Sequence, residues 1–117
     1  MKIEAREEGD FMILDLQGKL LLGDGVELLR EEMEKLIRAG HTRVALNLAG
    51  VPYLDSAGLG EIVRWYTSLR RKNGNLRLLN LNTRIRDLLT VAKLVQFFEG
   101  EEADRSGGSA GATSSGA

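Results

Sequence analysis

Apolar positions along the chain follow two rhythms, one of period two and one of period three to four, and their alternation outlines the fold. Residues 4–8 and 11–16 flank Gly9-Asp10, with Phe11, Ile13 or Leu14, and Leu16 as the apolar positions. This pattern predicts two short strands joined as a hairpin. Beyond Gly18 the period lengthens: Val26, Leu29, Met33, Leu36 and Ile37 recur at helical spacing with charges between them. Asp24 followed by Glu27 resembles a capping box at the start of this helix, and Gly40 suits the position just past its end. Residues 44–48 form a compact apolar run directly after the helix stop, as expected of a buried strand in a βαβ unit, and Pro52 and Tyr53 end it.

A second helix is predicted over residues 57–72, with Leu59, Ile62, Val63, Tyr66 and Leu69 on one face and Asn73-Gly74-Asn75 as its stop. Leu76, Leu78 and Leu79 mark the next strand. Asn82 or Thr83 then caps a third helix carrying Ile85, Leu88, Leu89 and Ala92, and residues 95–98 read as a last strand. There is no internal repeat. The order predicts an α/β fold: a mixed, largely parallel sheet of four to five strands that begins with a β-hairpin and has helices packed against it.

Composition narrows the function classes. The chain has 117 residues, enough for one domain with a real core. From Gly100 the apolar residues nearly vanish and residues 106–117 are Gly, Ser, Ala and Thr alone, so residues 101–117 are expected to form a disordered tail. Sixteen Lys plus Arg against seventeen Asp plus Glu give no global attraction to nucleic acid or anionic membrane. The absence of cysteine excludes disulfides, thiolate metal sites and cysteine nucleophiles. With no secretory h-region at the start and no stretch able to span a bilayer, a cytoplasmic monomer is expected, without membrane insertion.

The segment Tyr53-Leu54-Asp55-Ser56-Ala57-Gly58-Leu59-Gly60 places a serine where a strand gives way to an amphipathic helix. A serine at a helix N-cap satisfies a free backbone N–H, and the helix dipole makes that spot tolerant of a phosphate. Asp55 beside it suits a capping or partner-contacting role. Ser56 also sits where a hydrolase nucleophile would, but the glycine two positions before it is missing and the one histidine, His41, precedes it beside the Gly40 helix stop. Gly58-Leu59-Gly60 lacks the third glycine of a dinucleotide loop, since Val63 stands there. No convergent ligands accompany His41, so no metal or cofactor site is predicted. Arg70-Arg71-Lys72 reads as a solvated helix end favoured by the macrodipole rather than as a nucleic-acid patch. Trp65, at the edge of the apolar face beside Glu61, is either boundary packing or a partly exposed partner anchor.

The run from Leu46-Asn47-Leu48 through Asp55-Ser56-Ala57-Gly58-Leu59-Gly60 resembles the signature of STAS domains, specifically the bacterial anti-sigma factor antagonists. The likeness extends over residues 3–98, and the resemblance implies a STAS domain over residues 1–100. It implies that Ser56 is the phosphoacceptor, with Ala57 leaving it the only acceptor in the motif. An anti-sigma factor serine kinase would bind the unphosphorylated chain, release its sigma factor, and break the complex by phosphorylating Ser56. A metal-dependent serine phosphatase would restore it. The contact set expected on this basis is Asp55, Ser56, Ala57, Gly58, Leu59, Glu61 and Trp65, with Asp24 in place of an acidic residue that family members commonly carry soon after the glycine ending the second strand. A final amphipathic helix, usual in the family, has no counterpart in residues 101–105. The chain itself would not be the catalyst. The alternative is a STAS adaptor that never cycles, a subunit of a lipid-transport ATPase complex or a signalling scaffold.

Overall fold

The computed structural model describes residues 1–94 and 97–98. Strands β1 (Lys2–Glu8) and β2 (Phe11–Gln17) pair antiparallel, with Glu8 opposite Phe11 across a two-residue loop. Gly9 takes φ +60 in that loop, a value that tight hairpin turns require and that glycine adopts without strain. Helix α1 (Asp24–Arg38) carries the chain to β3 (Arg43–Gly50), which lies parallel to β2. Helix α2 (Ser56–Arg71) leads to β4 (Asn75–Leu79), parallel to β3, and α3 (Thr83–Val91) follows. The sheet order is β1-β2-β3-β4, the mixed and largely parallel arrangement that the alternation of periods predicts.

Alternate strand residues point to opposite faces, and the two faces differ. Leu14 and Leu16 of β2, Val44, Leu46 and Leu48 of β3, and Leu76 and Leu78 of β4 join one buried cluster with Leu29 and Met33 of α1, Ile62 and Leu69 of α2, and Ile85 and Leu89 of α3. The other face holds a small island of Ile13, Ala45 and Leu79, against which Phe11 packs. The guanidinium of Arg77 lies 4.4 Å from the centre of the Phe11 ring. Register places Arg77 directly opposite Ala45, and Ala45 opposite Ile13. Toward the other end of the same face a polar ladder links β1, β2 and β3 to the residue just after β4: Arg6 donates to Asp15 at 2.7 and 3.3 Å, Asn47 to Asp15 at 2.8 Å, and Asn80 to Asn47 at 2.8 Å. The Arg6 guanidinium, opposed by burial and assisted by Asn47, holds the Asp15 carboxyl below the usual aspartate range.

Helices α1, α2 and α3 close in the same way. At the end of α1, His41 N–H donates to the Leu36 carbonyl and Gly40 N–H to that of Ile37, the paired bonds of a Schellman motif, with Gly40 at φ +94. Asn73 fills the left-handed position after α2 and Lys93 that after α3, both at φ 61. The start of α1 departs from the expected capping box: Gly23 is its N-cap at φ +100, no side chain caps it, and Asp24 is the first helical residue. Helix α3 is capped by Asn82, whose side chain accepts from Ile85 N–H at 2.8 Å.

The predicted last strand is not formed where the structure describes it. Phe97 and Phe98 are helical, and Phe97 N–H donates to Leu94 O at 3.0 Å. Both rings pack edge-on against Tyr66 of α2, that of Phe98 at 4.9 Å between centroids. A four-residue segment with three apolar residues carries too little length to tell strand from helix, and packing on α2 decides it. Val95, Gln96 and the expected tail of residues 101–117 lie outside the described residues.

Candidate functional site

Ser56 sits where three loops, each leaving the C-terminal end of a parallel strand, come together. The β2–α1 loop runs beside the β3–α2 loop as a short extension of the sheet: Leu20 N–H donates to Tyr53 O at 3.1 Å, Asp55 N–H to Leu20 O at 3.3 Å, and Leu20 and Leu54 form a parallel bridge. The β4–α3 loop is tied to the same place by Asn82, whose amide donates to Val51 O and Pro52 O at 3.2 and 3.3 Å.

Asp55, not Ser56, is the N-cap of α2. One carboxylate oxygen accepts from Gly58 N–H at 2.8 Å and the other from Leu22 N–H at 3.0 Å. Those two backbone donors, Leu22 first and then Gly58, hold its carboxyl below the usual aspartate range. Aspartate and serine are near-equal caps in isolation, and the Leu22 amide, 33 residues away in sequence, favours the residue with two acceptor oxygens. Ser56 is therefore the first residue of the helix and its side chain is exposed.

Gly58 is what allows the loops to close this tightly. A Cβ there would overlap the carbonyl oxygen of Leu20 and meet its Cγ at 3.1 Å. The small residues after Ser56 thus let the helix approach the neighbouring loop.

The expected contact set divides once it is placed in space. Ser56 and Asp24 are exposed, and Asp55, Ala57 and Leu59 are half-buried. Gly58 is buried under Leu20. Glu61 and Trp65 turn inward, 4% and 6% exposed, so their side chains are removed from any surface shared with Ser56. The reason lies on α1: Arg30 donates to both Glu61 oxygens at 2.9 and 3.1 Å, and Trp65 Nε1 donates to Glu61 at 2.7 Å. Burial alone would raise the Glu61 carboxyl, but Arg30 and then Trp65 bring it below the ordinary glutamate range. The buried face of α2 accordingly runs through Gly58, Glu61, Ile62, Trp65 and Leu69, rotated from the stripe that hydrophobicity alone marks. Arg30 was the residue missed; its only sequence signal is an arginine within the apolar-periodic helix α1.

Two further residues stand beside the site outside the expected contact set. Leu22 is 78% exposed, and Tyr53 is exposed with the Arg84 guanidinium 4.6 Å from its ring centre. Among the described residues no group of metal-binding side chains gathers, and no helix is long and apolar enough to cross a membrane.

Ser56 is thus exposed on a capped helix start, at the loop edge of a mixed sheet with a leading hairpin. Residues 2–106 match the model of the STAS domain. The chain is 32% identical over 94 residues to an anti-sigma-B factor antagonist of Staphylococcus epidermidis, covering 80% of this chain and 86% of that one. It belongs to the STAS domain family, among the anti-sigma factor antagonists. Two solved structures of SpoIIAA share the fold. The unphosphorylated anti-sigma factor antagonist aligns with TM-score 0.63 and 24% identity over 92% of this chain and all 100% of that one. The phosphorylated form, described as a Bacillus cell fate determinant, aligns with TM-score 0.67 and 23% identity over 89% and 98%.

Proposed function

We propose that this chain is a phosphorylation-gated binding switch. Unphosphorylated, it docks the Ser56 edge on an anti-sigma factor serine kinase and frees a sigma factor; phosphorylation of Ser56 ends the complex, and a metal-dependent serine phosphatase resets it. In this reading the chain is a substrate and binding partner in the cytoplasm and not a catalyst. The observation that carries it is the placement of Ser56, exposed at the first turn of a helix whose cap is already supplied by Asp55. The hydroxyl is spared any capping duty. A phosphate there adds about −1.5 to −2 charges. The helix N-terminus tolerates that charge, so the fold persists while the surface beside Asp55 becomes strongly anionic.

The test combines the purified chain with the anti-sigma kinase of its host and ATP. Intact mass should rise by one phosphate, and Ser56→Ala should abolish uptake while preserving binding. Ser56→Asp should weaken binding; equal affinity of Ser56→Asp and wild type for the kinase defeats the gate. A chain isolated without phosphate under every growth state would instead fit the non-cycling adaptor.

A further inference from the structure

We infer that Leu22 is an apolar anchor for the kinase-type partner, seated beside the phosphoacceptor so that the charge on Ser56 is set against an apolar contact. The inference rests on the reading of Ser56 as a gate and names a residue that selects the partner at that site. Its basis is the way the leucine is held. An exposed leucine alone says little, since scattered apolar residues are common on surfaces. Leu22, however, is 78% exposed in a loop fixed on both sides. Its own N–H is bound to Asp55, Leu20 before it is fully buried and bonded to Tyr53 and Asp55, Val26 N–H donates to Leu21 O at 3.1 Å, and Glu27 N–H donates to Gly23 O at 2.8 Å.

A residue presented from so constrained a backbone loses little further main-chain freedom when a partner covers it, and preorganisation of this kind lowers the cost of binding. The occupant follows from continuity with the Ser56 edge, because the carboxylate that holds Leu22 N–H also caps the helix that begins with Ser56. A partner that reaches the serine to phosphorylate it therefore meets Leu22, with Tyr53 in the strand segment paired beside it. Its facing surface must offer an apolar pocket. Once Ser56 carries a phosphate, closing that pocket over Leu22 strips water from a dianion nearby, which makes the gate steep.

The experiment measures affinity of the full chain for the host anti-sigma kinase in four forms: wild type, Leu22→Ala, Ser56→Asp and Leu22→Ala/Ser56→Asp. Val91→Ala is the control, an apolar residue 80% exposed near the end of α3. Leu22→Ala should weaken binding by about 10-fold or more, the scale of an interface hot spot, and Val91→Ala by less than about 2-fold. In the double variant Ser56→Asp should cost less than it does alone, because the apolar contact that penalises charge is gone. Far-ultraviolet circular dichroism and Tm of Leu22→Ala should match wild type, since the residue is mostly exposed. If Leu22→Ala binds like Val91→Ala while Ser56→Asp weakens, the anchor is overturned and the gate survives. If Leu22→Ala weakens but Ser56→Asp does not, the anchor stands and the gate fails. A wild-type dimer abolished by Leu22→Ala, without any change in kinase affinity, would assign the leucine to a second copy of this chain and overturn the inference.

Discussion

Asp55 and Glu61 lie close together on the same stretch of chain, yet the molecule treats the two carboxylates in opposite ways. Asp55 remains at the surface and is held by backbone N–H groups from two segments. Glu61 is buried between helices and held by the side chains of Arg30 and Trp65. A carboxylate bound by backbone amides organises loops and leaves its neighbours free to change; one bound by side chains fixes how two helices sit. The proposed switch lies beside the first, and the packing of α1 on α2 rests on the second.

Substitutions should separate the two kinds of work. The largest effect is expected at the place that joins them: Gly58→Ala forces α2 away from the Leu20 carbonyl and should cost roughly 3 kcal/mol in urea denaturation, the range of overpacked cores. Glu61→Ala should follow at about 2 kcal/mol, since it leaves the indole N–H of Trp65 unpaired in the interior. Glu61→Gln, which keeps an acceptor, should lose less. Trp65, the only tryptophan, should then report the change by fluorescence, moving from a blue-shifted, poorly quenched emission toward a solvent-exposed one. An emission in the folded wild type that iodide quenches freely would contradict its inward position.

Acid should act on both carboxylates with the same sign. Each has its folded pKa depressed, as does Asp15. Their contribution is fully present above the unfolded carboxylate values near pH ~4 and is lost as pH falls through the lower folded values. Stability from thermal melts should therefore hold from neutral pH to about pH 5 and decline below about pH 4, and Glu61→Gln should flatten that decline. A wild-type Tm that rises on acidification through this window would exclude the assignment. Asp55→Ala should have a smaller effect on Tm than Glu61→Ala but a sharper local one, with faster hydrogen exchange at the Leu22 and Gly58 amides. The smallest change expected is a gain: Lys93→Gly relieves a left-handed lysine at the end of α3 and should stabilise by about 0.5–1 kcal/mol, reduced by the extra freedom of glycine in the unfolded chain.

Much of the fold could be read from periodicity because the elements are locally consistent: the hairpin around Gly9-Asp10, the stop at Gly40, the buried run ending before Pro52, and the Asn82 cap all carry their signals within a few residues. The motif around Ser56 was equally legible. What escaped was decided by partners distant in sequence. Whether Asp55 or Ser56 caps α2 depends on an amide in the β2–α1 loop, and Glu61 and Trp65 face inward because Arg30 of α1 neutralises an acid that hydropathy would place in water. Asp24 lost its capping role to Gly23, whose positive φ starts the helix one residue earlier than a side-chain cap would. Leu22 was hidden because a third leucine in a row looks like core, and only the register of the loop turns it outward.

The two oxygens of Asp55 have a chemical consequence for which residues can ever occupy that position. They accept at once from donors that belong to segments far apart in the chain. An asparagine has the same shape but one acceptor, and its amide nitrogen would face whichever N–H the oxygen left behind, donor against donor. A glutamate has the acceptors but sets them a methylene further from the helix start. Loop and helix are thus joined at this corner through a group whose shape asparagine shares and whose paired acceptors, at this reach, no other side chain supplies.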